Sequence, residues 1–172
     1  MKEPRQTAGL KYLLVALAAS GVMAARITLQ WDSLPETMAT HFDASGTPDG
    51  FSAKGSFLTS FLGIQVFLQA LLLGSALLIH KIPVAVLNIP EKERWIQSGQ
   101  MNRARAITRN GLLQMGASSS LLVLALFELM LKANRESGAL DARALWIVLL
   151  VYSVHTLWLC FAMMKRLKHP PR

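Results

Sequence analysis

Cysteine is nearly absent: Cys160 stands alone, inside an apolar run. That excludes an intramolecular disulfide and a cysteine-based metal site, and an inert buried thiol is its ordinary role. Charge is scarce too, at 16% of residues, against about 25% in average soluble domains. Acids are the rarer sign, with 10 Asp and Glu against 18 Lys and Arg. There is no internal repeat, no low-complexity tract and no stretch that reads as a soluble domain. What is abundant is hydrocarbon, since 52% of the 172 residues are hydrophobic. The length suits one domain, and apolar residues gathered into long runs indicate a membrane protein. A net charge of +8 is a weak sign of nucleic-acid binding by itself. Here the basic residues flank apolar runs, where membrane proteins keep them, so no nucleic acid is expected.

Four runs qualify as spans. The first covers about residues 12–30, follows Lys2, Arg5 and Lys11, and has Val22-Met23-Ala24 as a resemblance to a peptidase site. Ile27, Leu29 and Trp31 carry the apolar character past Arg26, so the expectation is an uncleaved helix, with Arg26 snorkelling outward and Trp31 in the aromatic belt. The second covers 57–79, 23 residues that cross a ~30 Å core at about 1.5 Å per residue. The third covers 112–131 and the fourth 144–164. Gly111, Gly116, Ala117 and Ser118-Ser119-Ser120 form a small-residue face for close packing, within the bundle or between copies. Residues 80–110 form a basic loop, with a helix expected to start at Asn88-Ile89-Pro90. There Trp95, Ile96, Met101 and Ile107 would lie on the membrane surface while Arg94, Arg103, Arg105 and Arg109 face lipid phosphates; the apolar face is thin, so a solvated connecting helix is the equal alternative.

Counting sets the expected topology. The flanks that share a side with both termini carry 13 basic residues and the opposite flanks carry 5, and the richer side belongs in the cytoplasm. Residues 31–56 then form an extracytoplasmic loop between the first two spans. Pro35, Gly46, Pro48 and Gly50 forbid a long helix through it. Pro35-Glu36 suits a short helical turn, and Asp43-Ala44-Ser45-Gly46 and Pro48-Asp49-Gly50 are turn signals. The loop is expected to be ordered.

The candidate chemistry is sparse. His41, Asp43 and Asp49 are the only candidate metal ligands. Gly46 falls too early for a calcium loop, and the alternative is that these side chains hold the turn backbone. His41 with Ser45 or Ser52 lacks the context of an activated nucleophile. Within the spans, Glu128 is expected to pair with Arg26 at similar depth. Gln69, Ser119, Ser120 and His155 lie near mid-span. They read either as a polar path or as interhelical hydrogen bonds of ~0.6 kcal/mol on average, and the broken helices and inverted repeat of transporters are lacking.

Leu34-Pro35, Thr40-His41-Phe42-Asp43, Gly46, Asp49-Gly50 and Lys54 resemble the signature of the bacterial membrane family called domain of unknown function 1648. Asn88-Ile89-Pro90 and Trp95 resemble its cytoplasmic loop, so that the likeness runs over about residues 12–100. Asp43 stands where asparagine is familiar, which weakens a carboxylate-metal role. Some relatives, of SdpI type, are toxin-immunity and signal-transduction membrane proteins, longer than this chain. The resemblance implies a fold and topology, and points to His41, Phe42, Gly46, Asp49 and Lys54 without a catalytic role.

Together these readings describe an all-α integral membrane protein: a four-helix bundle with an ordered loop between helices 1 and 2, no cofactor, and a bacterial cytoplasmic-membrane location. A non-enzymatic sensing, immunity or accessory role through the His41 loop leads, with Lys54 anchoring that loop to the second helix. Its partners would be lipids, a protein or peptide, or further copies of the chain. The alternatives are a small transporter or channel component using Gln69, Glu128 and His155, and a metal-dependent membrane enzyme at His41.

Overall fold

The computed structural model describes residues 7–170; Lys2, Arg5 and Arg172 of the basic flanks lie outside them. Four helices are long and apolar enough to cross a membrane. They are α1 (Thr7–Gln30), α2 (Lys54–Leu78), α4 (Met101–Lys132) and α5 (Ala142–Leu167), with a short α3 (Lys92–Gln97) before α4. Between α1 and α2 the connecting segment is not only turns. It folds into an antiparallel hairpin of β1 (Thr37–Phe42) and β2 (Pro48–Ala53). The short helical turn expected at Pro35-Glu36 does not form there; a 3-10 turn precedes it at Trp31–Ser33, and Pro35-Glu36 lead directly into β1.

The helix α4 is the axis. It packs along α1, α2 and α5, whereas α5 has no comparable interface with α1 or α2. Small residues on α4 permit this. A Cβ on Gly116 would come within 2.9 Å of Leu73 on α2, and one on Gly111 within 2.6 Å of Met163 on α5. Ala117, Ser119 and Ser120 are buried too, so the small-residue face is used inside the bundle, where backbones must approach closely. At the hairpin end, Met23, Leu34, Met38, Phe57, Leu58, Phe127 and Leu131 form one buried cluster. Phe57, Phe61 and Phe127 stack or meet edge to face within it, at centroid distances of 5.1 to 6.4 Å. Met38 thus plugs the hairpin into the helix tops.

At the opposite end the sequence reading needs correction. The helix expected from Asn88 begins only at Lys92, after Glu91 in a left-handed conformation. It ends at Gln97, and Gly99 just beyond it has a φ of +67° that suits a residue without a side chain. From Met101 nothing breaks the chain, so α4 runs 32 residues, about 48 Å at the usual rise. Its basic first turns therefore extend beyond a ~30 Å core, so the helix is longer than the apolar run at 112–131 alone.

Trp95 does not lie on the membrane surface. It is 1% exposed, packed with Ala104 and Leu167 and flanked by Met101 and Ile107, and its Nε1 donates to the Leu167 carbonyl at 2.9 Å. A ring this large gains more from a three-sided apolar pocket than from an interface. Arg105 likewise donates to the His80 and Ile82 carbonyls after α2, instead of facing lipid phosphates.

Replacing Trp95 with Phe should keep the packing and lose only the bond to Leu167, a cost of about 1–2 kcal/mol. Trp95→Ala should cost about 3–5 kcal/mol. Thermal unfolding of the purified protein in detergent should rank them in that order.

Candidate functional site

The hairpin is held by side chains that satisfy main-chain groups. Asn134, in the π turn Ala133–Ser137 that extends α4, accepts from the Ala39 N–H at 2.7 Å. Its amide also donates to the Ala39 carbonyl at 3.0 Å and the Met130 carbonyl at 2.9 Å. One amide therefore does for β1 what a neighbouring strand would do.

Lys54, the first residue of α2, is 6% exposed. Its Nζ donates to the Trp31 carbonyl at 3.1 Å and to Glu36 Oε1 at 2.9 Å, approaches the Leu34 carbonyl at 3.5 Å, and lies over the Trp31 ring. An ammonium has three hydrogens to place, and this one spends them where α1 hands over to the hairpin. Trp31 is thus a wall for Lys54.

At the tip, Asp43 folds the turn. One carboxylate oxygen accepts from the Ser45 N–H, the Ser45 hydroxyl and the Thr47 N–H, at 2.6 to 3.0 Å. The Ser45 hydroxyl first, and then these backbone bonds, hold its carboxyl below the usual value. Gly46 has φ +88°, and a Cβ there would come within 2.2 Å of the Leu140 carbonyl, while its own carbonyl accepts from the Leu140 N–H at 2.8 Å. Only glycine fits that contact with the α4–α5 connection.

Against this bonded frame His41 and Asp49 stand apart. The pairing slips by one residue at Thr40 and again at Asp49, and such bulges re-aim side chains. A Cβ on Gly50 would lie 2.9 Å from that of His41, so the glycine gives the histidine room. His41 Nδ1 contacts Asp49 Oδ1, with side-chain exposures of 73% and 48%. Phe42 is half-buried and Phe51 exposed. The weak metal set is not assembled. Asp43 is spent on its own turn, and among the described residues no three His, Cys, Asp or Glu side chains converge. Ser45 bonds Asp43 and Thr47, and Ser52 donates to the Ala53 carbonyl, so neither hydroxyl is offered to His41.

The intramembrane polar groups pair off at separate places. Arg26 and Glu128, read from the sequence as partners, form a two-pronged pair at 2.7 and 2.8 Å. Gln69 donates to Ser120 and Ser119 bonds Tyr152 at 3.0 Å. Gln65, which sequence reasoning passed over, donates to Ser20 at 2.7 Å. His155 joins none of them; it is exposed and stacks on Trp158. The continuous polar path considered from the sequence is therefore not formed. Asn134 was also missed, because a lone asparagine after an apolar run reads as an ordinary helix end.

Residues 18–65 match the family model described as domain of unknown function (DUF1648). The DUF1648 segment starts within α1, takes in the hairpin and ends within α2. It contains every hairpin residue described above but not Asn134, and Asn88-Ile89-Pro90 and Trp95 fall outside it. No curated protein and no solved structure matches the chain.

Asn134→Leu should leave both Ala39 main-chain groups without their partner and cost about 2–3 kcal/mol. Faster amide exchange at Ala39 and a lowered Tm check this. A carboxyl lowered by folding stabilises the turn fully above its unfolded value and ceases to do so as pH falls through the folded one. Protection of the Ser45 and Thr47 amides, corrected for intrinsic exchange, should therefore hold from neutral pH to below the ordinary carboxylate range and collapse only in stronger acid. In Asp43→Ala it should be low throughout.

Proposed function

We propose that this is a non-enzymatic membrane protein that recognises a peptide or protein partner through the His41–Asp49 side of its hairpin, in a sensing, immunity or accessory role. The observation that carries this reading is the contrast within the hairpin. Its backbone is secured by Asn134, Lys54, Asp43 and Met38, yet one imidazole–carboxylate pair is left exposed, as is Phe51 on the second strand of the same hairpin. A well-bonded frame that presents a polar pair and an aromatic ring on one hairpin suits binding, where preorganisation favours affinity. Among the described residues no hydroxyl or thiol is hydrogen-bonded to the imidazole to make it a base for covalent chemistry. The basic asymmetry, 13 residues against 5, supports a bacterial cytoplasmic membrane with the hairpin outside and both termini inside. Contact at β1 would then reach the inner side through Asn134 and the single helix α4. The likeness of the hairpin motif to a family with toxin-immunity relatives is compatible with such a role. The transport reading draws less support, because its polar groups are paired at different helix contacts.

In a Cys160→Ser background, Ala44→Cys should react with a membrane-impermeant maleimide in intact cells, and Gln97→Cys only after lysis; the reverse pattern would refute the topology. A photo-reactive residue in place of Phe51 should crosslink a partner in native membranes. That crosslink should fall several-fold in His41→Ala and Asp49→Ala while exchange protection at Ala39 is unchanged. Crosslinking indifferent to both substitutions would remove the recognition role.

A further inference from the structure

His155 lies at the middle of α5, thirteen residues after Ala142 and twelve before Leu167, and therefore near the centre of the bilayer. Its ring lines a groove of about 320 Å³ between α4 and α5, walled by Leu121, Leu122, Ile147 and Val151. Among the described residues it has no hydrogen-bond partner, only the stacked Trp158 ring at 6.2 Å. The other polar atoms of the groove are occupied, since Ser118 donates to the Gln114 carbonyl and Tyr152 bonds Ser119. Polar groups without partners are costly in hydrocarbon, and intramembrane histidines face a partner or water rather than lipid. Something must bring a hydrogen-bonding group to this depth. Phospholipid does not, because its polar atoms lie about 15 Å away, half the core thickness.

We infer that the α4–α5 groove is a homodimer interface, in which a second copy of this chain lays its α5 along the groove so that the two His155 rings hydrogen-bond at mid-membrane. A twofold axis along the membrane normal places identical residues at identical depth, so the copy supplies its partner group by symmetry. A neutral imidazole has one donor and one acceptor, so two rings can complement each other. The fold leaves room for the copy. The helix α5 packs on α4 alone among the long helices, and the face bearing Val151, Val154 and Trp158 is bare. On the α4 side, Ser118 and Ala125 are small where a helix would approach.

The test is oxidative crosslinking and native mass spectrometry of the full chain in lipid nanodiscs. In a Cys160→Ser background, Val151→Cys should form a disulfide between copies, whereas Val66→Cys on the exposed face of α2 should not. His155→Leu should weaken dimerisation about tenfold without lowering the monomer's Tm, since His155 has no hydrogen bond to lose within the chain, and His155→Asn should restore the dimer. The inference is overturned by a monomer at every protein-to-lipid ratio, by equal crosslinking at Val66 and Val151, or by a dimer indifferent to His155→Leu. A single chain carrying a lipophilic small molecule that His155→Leu releases would also overturn it, and would assign the groove to that molecule.

Discussion

A main-chain carbonyl that leaves its helix near the edge of a membrane has little water to turn to, and losing its partner costs free energy comparable to a whole hydrogen bond. Much of this structure is arranged around that constraint. At the hairpin end, Lys54 collects the carbonyls of Trp31 and Leu34, and Asn134 those of Ala39 and Met130. At the opposite end, Arg105 takes those of His80 and Ile82, Lys92 that of Ala85, and Trp95 that of Leu167. Each side chain ties a helix end or connection to a different element, so the bonds that satisfy the backbone also set where the elements sit. These bonds hold the hairpin in place, although it has only two strands, an arrangement marginal by itself.

The second organising fact is the centrality of α4. Because α1, α2 and α5 each lean on it, a tilt or shift of α4 moves every interface, whereas a shift of α5 disturbs one. Asn134 stands at one end of α4, through the π turn, and Ala104 packs under Trp95 at the other. The hairpin and the basic end are therefore joined by one continuous helix, which is the physical path by which contact at one side could bias the other.

The long-range architecture was legible because hydrophobic length alone reports it. A run of twenty or so apolar residues has one stable fate in a bilayer, and the span count follows from it. The hairpin was legible only as order: Gly46, Pro48 and Gly50 announce turns, but Thr37–Phe42 and Pro48–Ala53 have neither strict alternation nor a two-residue turn signal. Bulges break the period that would have shown the strands. The misreading of Trp95 has a similar origin. An isolated tryptophan among arginines has the composition of an interfacial residue, and its pocket is formed by Ala104 and Leu167, far away in the sequence. Asn134, which secures the candidate site, lies outside the DUF1648 segment altogether, so no local motif could have pointed to it. The Arg26–Glu128 pair was foreseeable because depth along two helices can be counted.

That same depth argument clarifies the polar residues within the spans. Ser20 with Gln65 joins α1 to α2, Gln69 with Ser120 joins α2 to α4, Ser119 with Tyr152 joins α4 to α5, and Arg26 with Glu128 joins α1 to α4. Four contacts between helices thus carry one polar pair each. Individually such bonds contribute little to stability, ~0.6 kcal/mol on average. Their larger effect is on register, since sliding any helix by one turn would strand two polar groups in hydrocarbon at once. A path for ions or protons would need these groups to be continuous; bonded pairwise at separate helix contacts, they act as pins. Among the described residues His155 has no hydrogen bond within the chain, which makes it a residue to explain by what lies beyond it.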